Sequence, residues 1–207
     1  MTLHTYTGGF VQTNGYILEL ANKECLIIDA PAGITEFLKE KGLVPKHLLL
    51  THQHFDHVED ASLLEETGAK ISAWTAYAPD VIMEKRVQEM GIPVNIPPYQ
   101  VATVLKGQAT LEVAGLTFNL AHVPGHSPES VTFHLTAEFL LFAGDALFNG
   151  SIGRTDLPGG NHEQLLDSIR QKLYTLPDET AVFPGHGPQT RIGHEKASNP
   201  FCPQNQP

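Results

Sequence analysis

The chain has 207 residues, 41% hydrophobic and 17% charged, a composition that supports a packed core and argues against disorder. Its formal net charge of −10 would repel a polyphosphate backbone, which makes nucleic acid a poor partner. No apolar run reaches the roughly 18 residues a membrane helix needs, so no membrane partner is expected.

The N-terminus, MTLHTYTGGF, shows no basic segment followed by an apolar one. The only two cysteines, Cys25 and Cys202, are far apart and make no disulfide framework. Cytoplasmic residence is the expectation. Strands are expected at Gly15–Leu20 and Cys25–Asp29. Ile34 to Gly42 reads as a short amphipathic helix stopped by glycine. His47 to Thr51 reads as a buried strand, Glu59 to Thr67 as a helix closed by Gly68, Lys70–Trp74 as a strand and Pro79–Met90 as a helix. Pro93, Pro97 and Pro98 break the pattern, which puts a seam between two αβ halves of one domain near 93–100. The second half is strand-rich, at Ala109–Val113, Leu116–Val123, Ser130–Leu135 and Phe139–Ala143. A glycine-rich loop follows to Gly160. Asn161 can cap a helix running to about Tyr174, with Leu165, Leu166, Ile169 and Leu173 on one packing face. AVFPGHG reads as a last strand, and most charges of the tail are expected to be solvated.

Polar motifs stand just past the ends of these strands. His52, His54, Asp56 and His57 crowd one loop, His126 lies in HVPGHSPES, Asp145 in LFAGDALF and His186 in FPGHGPQ. Imidazole with carboxylate suits zinc, iron or manganese. These seven donors exceed the four of one tetrahedral zinc and suit two metals, roughly 3.5–4 Å apart, with open positions for water. His4, His47, His122, His134, His162 and His194 stand outside these motifs and are expected to be structural.

At these residues the chain resembles the metallo-β-lactamase superfamily, whose His-x-His-x-Asp-His signature is complete at 52 to 57. The later His126, Asp145 and His186 motifs come in that family's order. The resemblance implies an α+β, four-layer αββα sandwich. It also implies that His52, His54 and His126 hold one divalent metal, Asp56, His57 and His186 a second, and Asp145 bridges, with zinc the first expectation. Asp29, in IIDAP, would either support a ligating histidine or cap a turn. Gly144 to Gly160 and the tail GHGPQTRIGHEKASNPF look most like the glyoxalase II group, in a short form without its C-terminal helical glutathione-binding domain. True β-lactamases of the family commonly carry a cysteine where Asp145 stands.

The implied activity is hydrolysis of a hydroxyacyl-glutathione-type thioester by a metal-bridging hydroxide, oriented by Asp56, with a thiol of pKa about 8.5 as leaving group. Arg154 resembles an anion anchor for the substrate, and it equally suits bracing of its loop through Asp156. The alternative activity is a mononuclear-iron persulfide dioxygenase of the same fold, using the equivalents of His52, His126 and Asp145.

Overall fold

A computed structural model describes residues 1–204. The chain divides into two compact units, Met1–Lys106 and Gly107–Pro207.

The first unit is one six-stranded sheet. In sequence and spatial order its strands are β1 (Thr2–Gly8), β2 (Thr13–Glu19), β3 (Glu24–Ile28), β4 (Val44–Leu49), β5 (Lys70–Ala73) and β6 (Val101–Val104). The first three run antiparallel, and β3 through β6 run parallel. Parallel neighbours require a crossover, and helices supply it. Helix α1 (Ile34–Lys41) links β3 to β4, and α2 (Ala61–Glu66) follows the loop after β4. Gly42 ends α1 in the left-handed region, with φ 65°, and its N–H returns to the carbonyls of Leu38 and Lys39. Ile34 and Leu38, one turn apart, bury against the sheet residues Ile17, Ile27 and Leu48. Each such side chain contributes about 1.5–3 kcal/mol.

The expected helix over Pro79–Met90 is instead two pieces, α3 (Pro79–Ile82) and α4 (Glu84–Glu89). Met83, at φ 60°, breaks them apart. Both pieces bury an apolar residue, Ile82 and Val87, and the turn between them carries no glycine or proline to announce it. The proline-rich stretch 93–98 belongs to this unit, where Val94 and Ile96 are buried.

The second unit is also a six-stranded sheet, in spatial order β14, β13, β10, β9, β8, β7. Its strands are β7 (Thr110–Val113), β8 (Leu116–His122), β9 (Val131–Leu135), β10 (Leu140–Gly144), β13 (Ala181–Pro184) and β14 (Thr190–Arg191). A small hairpin, β11 (Leu147–Phe148) and β12 (Ser151–Ile152), interrupts the order. Because β8 and β10 both run antiparallel to β9, and β13 runs parallel to β10, these three strands point the same way. Their C-terminal ends therefore share one edge.

Helix α5 (His162–Ser168) begins as expected, with the Asn161 side chain accepting from the Gln164 N–H at 3.0 Å. It continues as a π-helical turn over Ile169–Leu173, and Leu165, Leu166, Ile169 and Leu173 are all buried. Arg191 in the tail is exposed, as expected of most tail charges, but one charge departs from that expectation. Ile192–Ser198 is a helix, α6, and Glu195 within it is fully buried. Among the described residues, no helix is long and apolar enough to cross a membrane.

Candidate metal centre

In the first unit the ligand candidates occupy the loop after β4, at the carboxyl end of a parallel strand. Sites collect there because side chains from neighbouring loops meet at the sheet edge. His52, His54, Asp56 and His57 are all buried. The His52 ring lies 4.6 Å from His54 and 4.1 Å from His57, centre to centre. Gln53, between two of them, points away and is fastened on both sides. Its amide nitrogen donates to Thr75 Oγ1 and to the Ala76 carbonyl, each at 3.1 Å, and its oxygen accepts from the Tyr99 hydroxyl at 2.9 Å.

Hydrogen bonds then decide which ring nitrogen His52 and His57 present. Asp29 follows β3 at the same edge, in the left-handed region at φ 60°. Its carboxylate accepts from the Thr51 N–H at 2.8 Å, from Thr51 Oγ1 at 2.7 Å and from His57 Nδ1 at 2.8 Å. His57 is thus protonated on Nδ1 and carries its lone pair on Nε2. The Thr51 hydroxyl gives its one proton to Asp29, so at its 3.1 Å contact with His52 Nδ1 it must accept. His52, too, presents Nε2. Thr13 starts β2 at the same edge, and its hydroxyl donates to Asp56 Oδ2 at 2.6 Å, aiming that carboxylate.

In the second unit the three candidates follow the three co-directed strands: His126 after β8, Asp145 after β10 and His186 after β13. His126 Nδ1 donates to the Arg154 carbonyl at 2.8 Å, which leaves its lone pair on Nε2. Asp145 Oδ2 lies 3.5 Å from His126 Nε2 and 3.4 Å from His186 Nε2. Asp145 can take this position because Gly153 passes beside it. A Cβ on Gly153 would stand 1.8 Å from the Asp145 carbonyl oxygen, so any side chain there would force the hairpin away. Phe148 meets the His186 ring edge-on at 6.0 Å.

These separations test the fit to a metal. Ligand bonds of 2.0–2.2 Å in a tetrahedron put neighbouring donor atoms about 3.3–3.6 Å apart. The two Asp145 contacts match that edge, as does the 3.4 Å between Asp56 Oδ2 and His57 Nε2. A lone-pair nitrogen beside a carboxylate oxygen at this spacing is repulsive alone and favourable around a shared cation. The donors are oxygen and imidazole nitrogen, with no thiolate, and the His/Asp clusters fit divalent metal.

The remaining histidines have other surroundings. His4 meets Glu19 at 2.8 Å and His122 meets the Pro128 carbonyl at 2.9 Å. Burial pushes the pKa of His134 below the usual histidine range. The guanidinium of Arg154 is exposed and forks onto Asp156, through Nε at 2.8 Å and Nη2 at 2.7 Å, which raises its pKa further. The sequence reading named the ligand candidates but missed Thr13, Gln53, Tyr99 and the Arg154 carbonyl. Of these, only Gln53, which lies between His52 and His54, carried a signal of position.

The family model described as the Metallo-beta-lactamase superfamily matches residues 8–186. The chain belongs to that superfamily. It has the metallo-β-lactamase fold, and the superfamily is one of enzymes that use divalent metals. Among its relatives is a probable metallo-hydrolase, YqgX, of Bacillus subtilis, 39% identical over 93% of each chain. The hydroxyacylglutathione hydrolase GloC of Haemophilus influenzae is 38% identical over 86% of this chain and 87% of that one. Among solved structures, the BLEG-1 B3 metallo-β-lactamase superposes with TM-score 0.88 at 36% identity, covering 97% of this chain and 99% of that one. TTHA1623 in a di-iron-bound form gives 0.81 at 34%, covering 96% and 99%. ETHE1 from Myxococcus xanthus gives 0.77 at 27%, covering 97% and 84%.

Proposed function

We propose that the chain hydrolyses a hydroxyacyl thioester of the glutathione type, as the name of its relative GloC describes for that protein. His52, His54 and His126 would hold one divalent ion, Asp56, His57 and His186 a second, and Asp145 would bridge. The observation that carries this reading is Asp145 Oδ2. One oxygen stands at ligand-edge distance from both His126 and His186, which the proposal assigns to different ions. Bound divalent metal would lower the pKa of a coordinated water to about 7 and polarise the thioester carbonyl. TTHA1623, similar along nearly its whole length, has a di-iron form, which supports two ions and leaves iron beside zinc as a candidate.

The chain's own residues then have defined tasks. Asp29 and the Arg154 carbonyl hold His57 and His126 with Nε2 presented. Thr13 aims Asp56, whose carboxylate would orient the attacking water. Both cysteines are free and buried, and burial pushes the Cys25 thiol up to about 12 and raises Cys202 as well, so neither serves as a thiolate nucleophile. Reduced, buried thiols also suit the cytoplasmic residence we propose. The Arg154 guanidinium is forked onto Asp156 in the loop-bracing role, and only its remaining Nη1 edge would be open to a substrate carboxylate.

The test is metal analysis of protein purified without chelator, followed by three assays on the same preparation. Loss of S-lactoylglutathione supports the proposal. Oxygen uptake with glutathione persulfide and one iron per chain would favour the dioxygenase reading instead. Preferential β-lactam opening would favour the activity named for BLEG-1.

A further inference from the structure

One charge of the tail, Glu195, is fully buried, and it touches none of the ligand candidates. Its carboxyl group accepts three hydrogen bonds, from Thr190 Oγ1 at 2.6 Å, the Gly150 N–H at 3.0 Å and Asn199 Nδ2 at 2.7 Å. Two more bonds run from the same region to the same hairpin. Asn199 Nδ2 donates to the Ser151 carbonyl at 3.0 Å, and Asn149 Nδ2 donates to the Gln189 carbonyl at 3.1 Å. Three consecutive residues, Asn149 and Gly150 of the turn and Ser151 of β12, are therefore each fastened to the last stretch of chain. Tyr174 secures α6 beneath them, its hydroxyl bonding the Glu195 carbonyl at 3.2 Å and the Cys202 carbonyl at 3.0 Å.

That hairpin is the element that reaches every ligand candidate of the second unit. Asp145 begins it. Phe148, immediately before the fastened turn, stands edge-on to His186. Gly153, just after β12, passes against the Asp145 carbonyl, and the Arg154 carbonyl beside it accepts a hydrogen bond from His126 Nδ1–H. A shift of the turn would be felt at Asp145, His126 and His186 together.

We infer that Glu195 is a positioning residue for the metal ligands of the second unit, acting through the β11–β12 hairpin. The inference rests on the proposed metal-binding reading. Partners that orient ligands without touching the ion typically change metal affinity 10–100-fold when removed.

The test compares Glu195→Ala with Glu195→Gln in the full chain. Glutamine can keep its oxygen toward Gly150 and Asn199, while the Thr190 hydroxyl turns to accept from the new amide. Zinc affinity is measured by competition with a chromophoric chelator, and ligand geometry by the visible spectrum of the cobalt-substituted protein. The expected result is a 10–100-fold weaker zinc site and an altered cobalt spectrum for Glu195→Ala, with both restored in Glu195→Gln. If Glu195→Ala does not fold, Asn149→Ala decides, because that exposed side chain releases one tie without opening the core. It should shift the cobalt spectrum in the same direction. Affinity and spectrum unchanged in the folded variants would overturn the inference and make the tail a stability element only. Wild-type protein that binds neither zinc nor cobalt would instead overturn the metal-binding reading itself.

Discussion

Asp29→Asn is the sharpest single perturbation of the first unit. The Asp29 carboxylate accepts two bonds from Thr51 and one from His57 Nδ1. Asparagine tolerates the left-handed backbone at φ 60°, so little strain is added, whereas alanine would incur about 1–2 kcal/mol there. The amide has only one acceptor oxygen. If that oxygen stays on the Thr51 N–H, the amino group faces the Thr51 hydroxyl, which can turn, and His57 Nδ1–H, which cannot. His57 must then move its proton to Nε2, the nitrogen proposed to bind metal. Loss of such an orienting partner typically weakens metal binding 10–100-fold, equivalent to about 1.4–2.7 kcal/mol. Competition titration with a chromophoric chelator measures the affinity, and nitrogen-detected NMR of the histidine rings reads the tautomer. Wild-type affinity with His57 still protonated on Nδ1 would refute the reasoning.

Other expectations follow from the same geometry. Asp145→Ala should lower metal content and turnover together; two metals and a normal rate would remove Asp145 as the bridge. Tyr99→Phe deletes one bond to Gln53 and should cost the metal-free chain about 0.5–1.5 kcal/mol in a denaturant titration. Chelation should destabilise the chain by the ligand-linkage term, about 4 kcal/mol where free metal had stood at 1,000 times its dissociation constant, and the melting temperature should recover on adding zinc. Because burial lowers the pKa of His134, its neutral form is favoured in the fold. Its contribution is whole above the ordinary histidine pKa of about 6.5 and is lost as pH falls through the window below it. Metal-free His134→Gln should show a shallower loss of stability between pH 6.5 and 5 than the metal-free wild type, and an identical slope would contradict this.

The sequence alone determined which residues are the ligand candidates, because they are encoded locally. His52 to His57 lie within one loop, and His126, Asp145 and His186 each follow an apolar strand beside glycine. It also determined most of the elements, since Ile34 with Leu38 and Leu165 with Leu166 and Ile169 carry a period that needs no distant partner. Only the tertiary structure decided which nitrogen His57 and His126 present, because the deciding atoms come from elsewhere: Asp29 for His57, and the Arg154 carbonyl for His126. Those partners are delivered by strand order and register, which residue-by-residue reading does not specify. The tail shows the same division. Thr190 and Asn199 stand close to Glu195 in sequence, but the Gly150 N–H reaches it from 45 residues away, and a bond from so distant a residue is what a local pattern cannot announce.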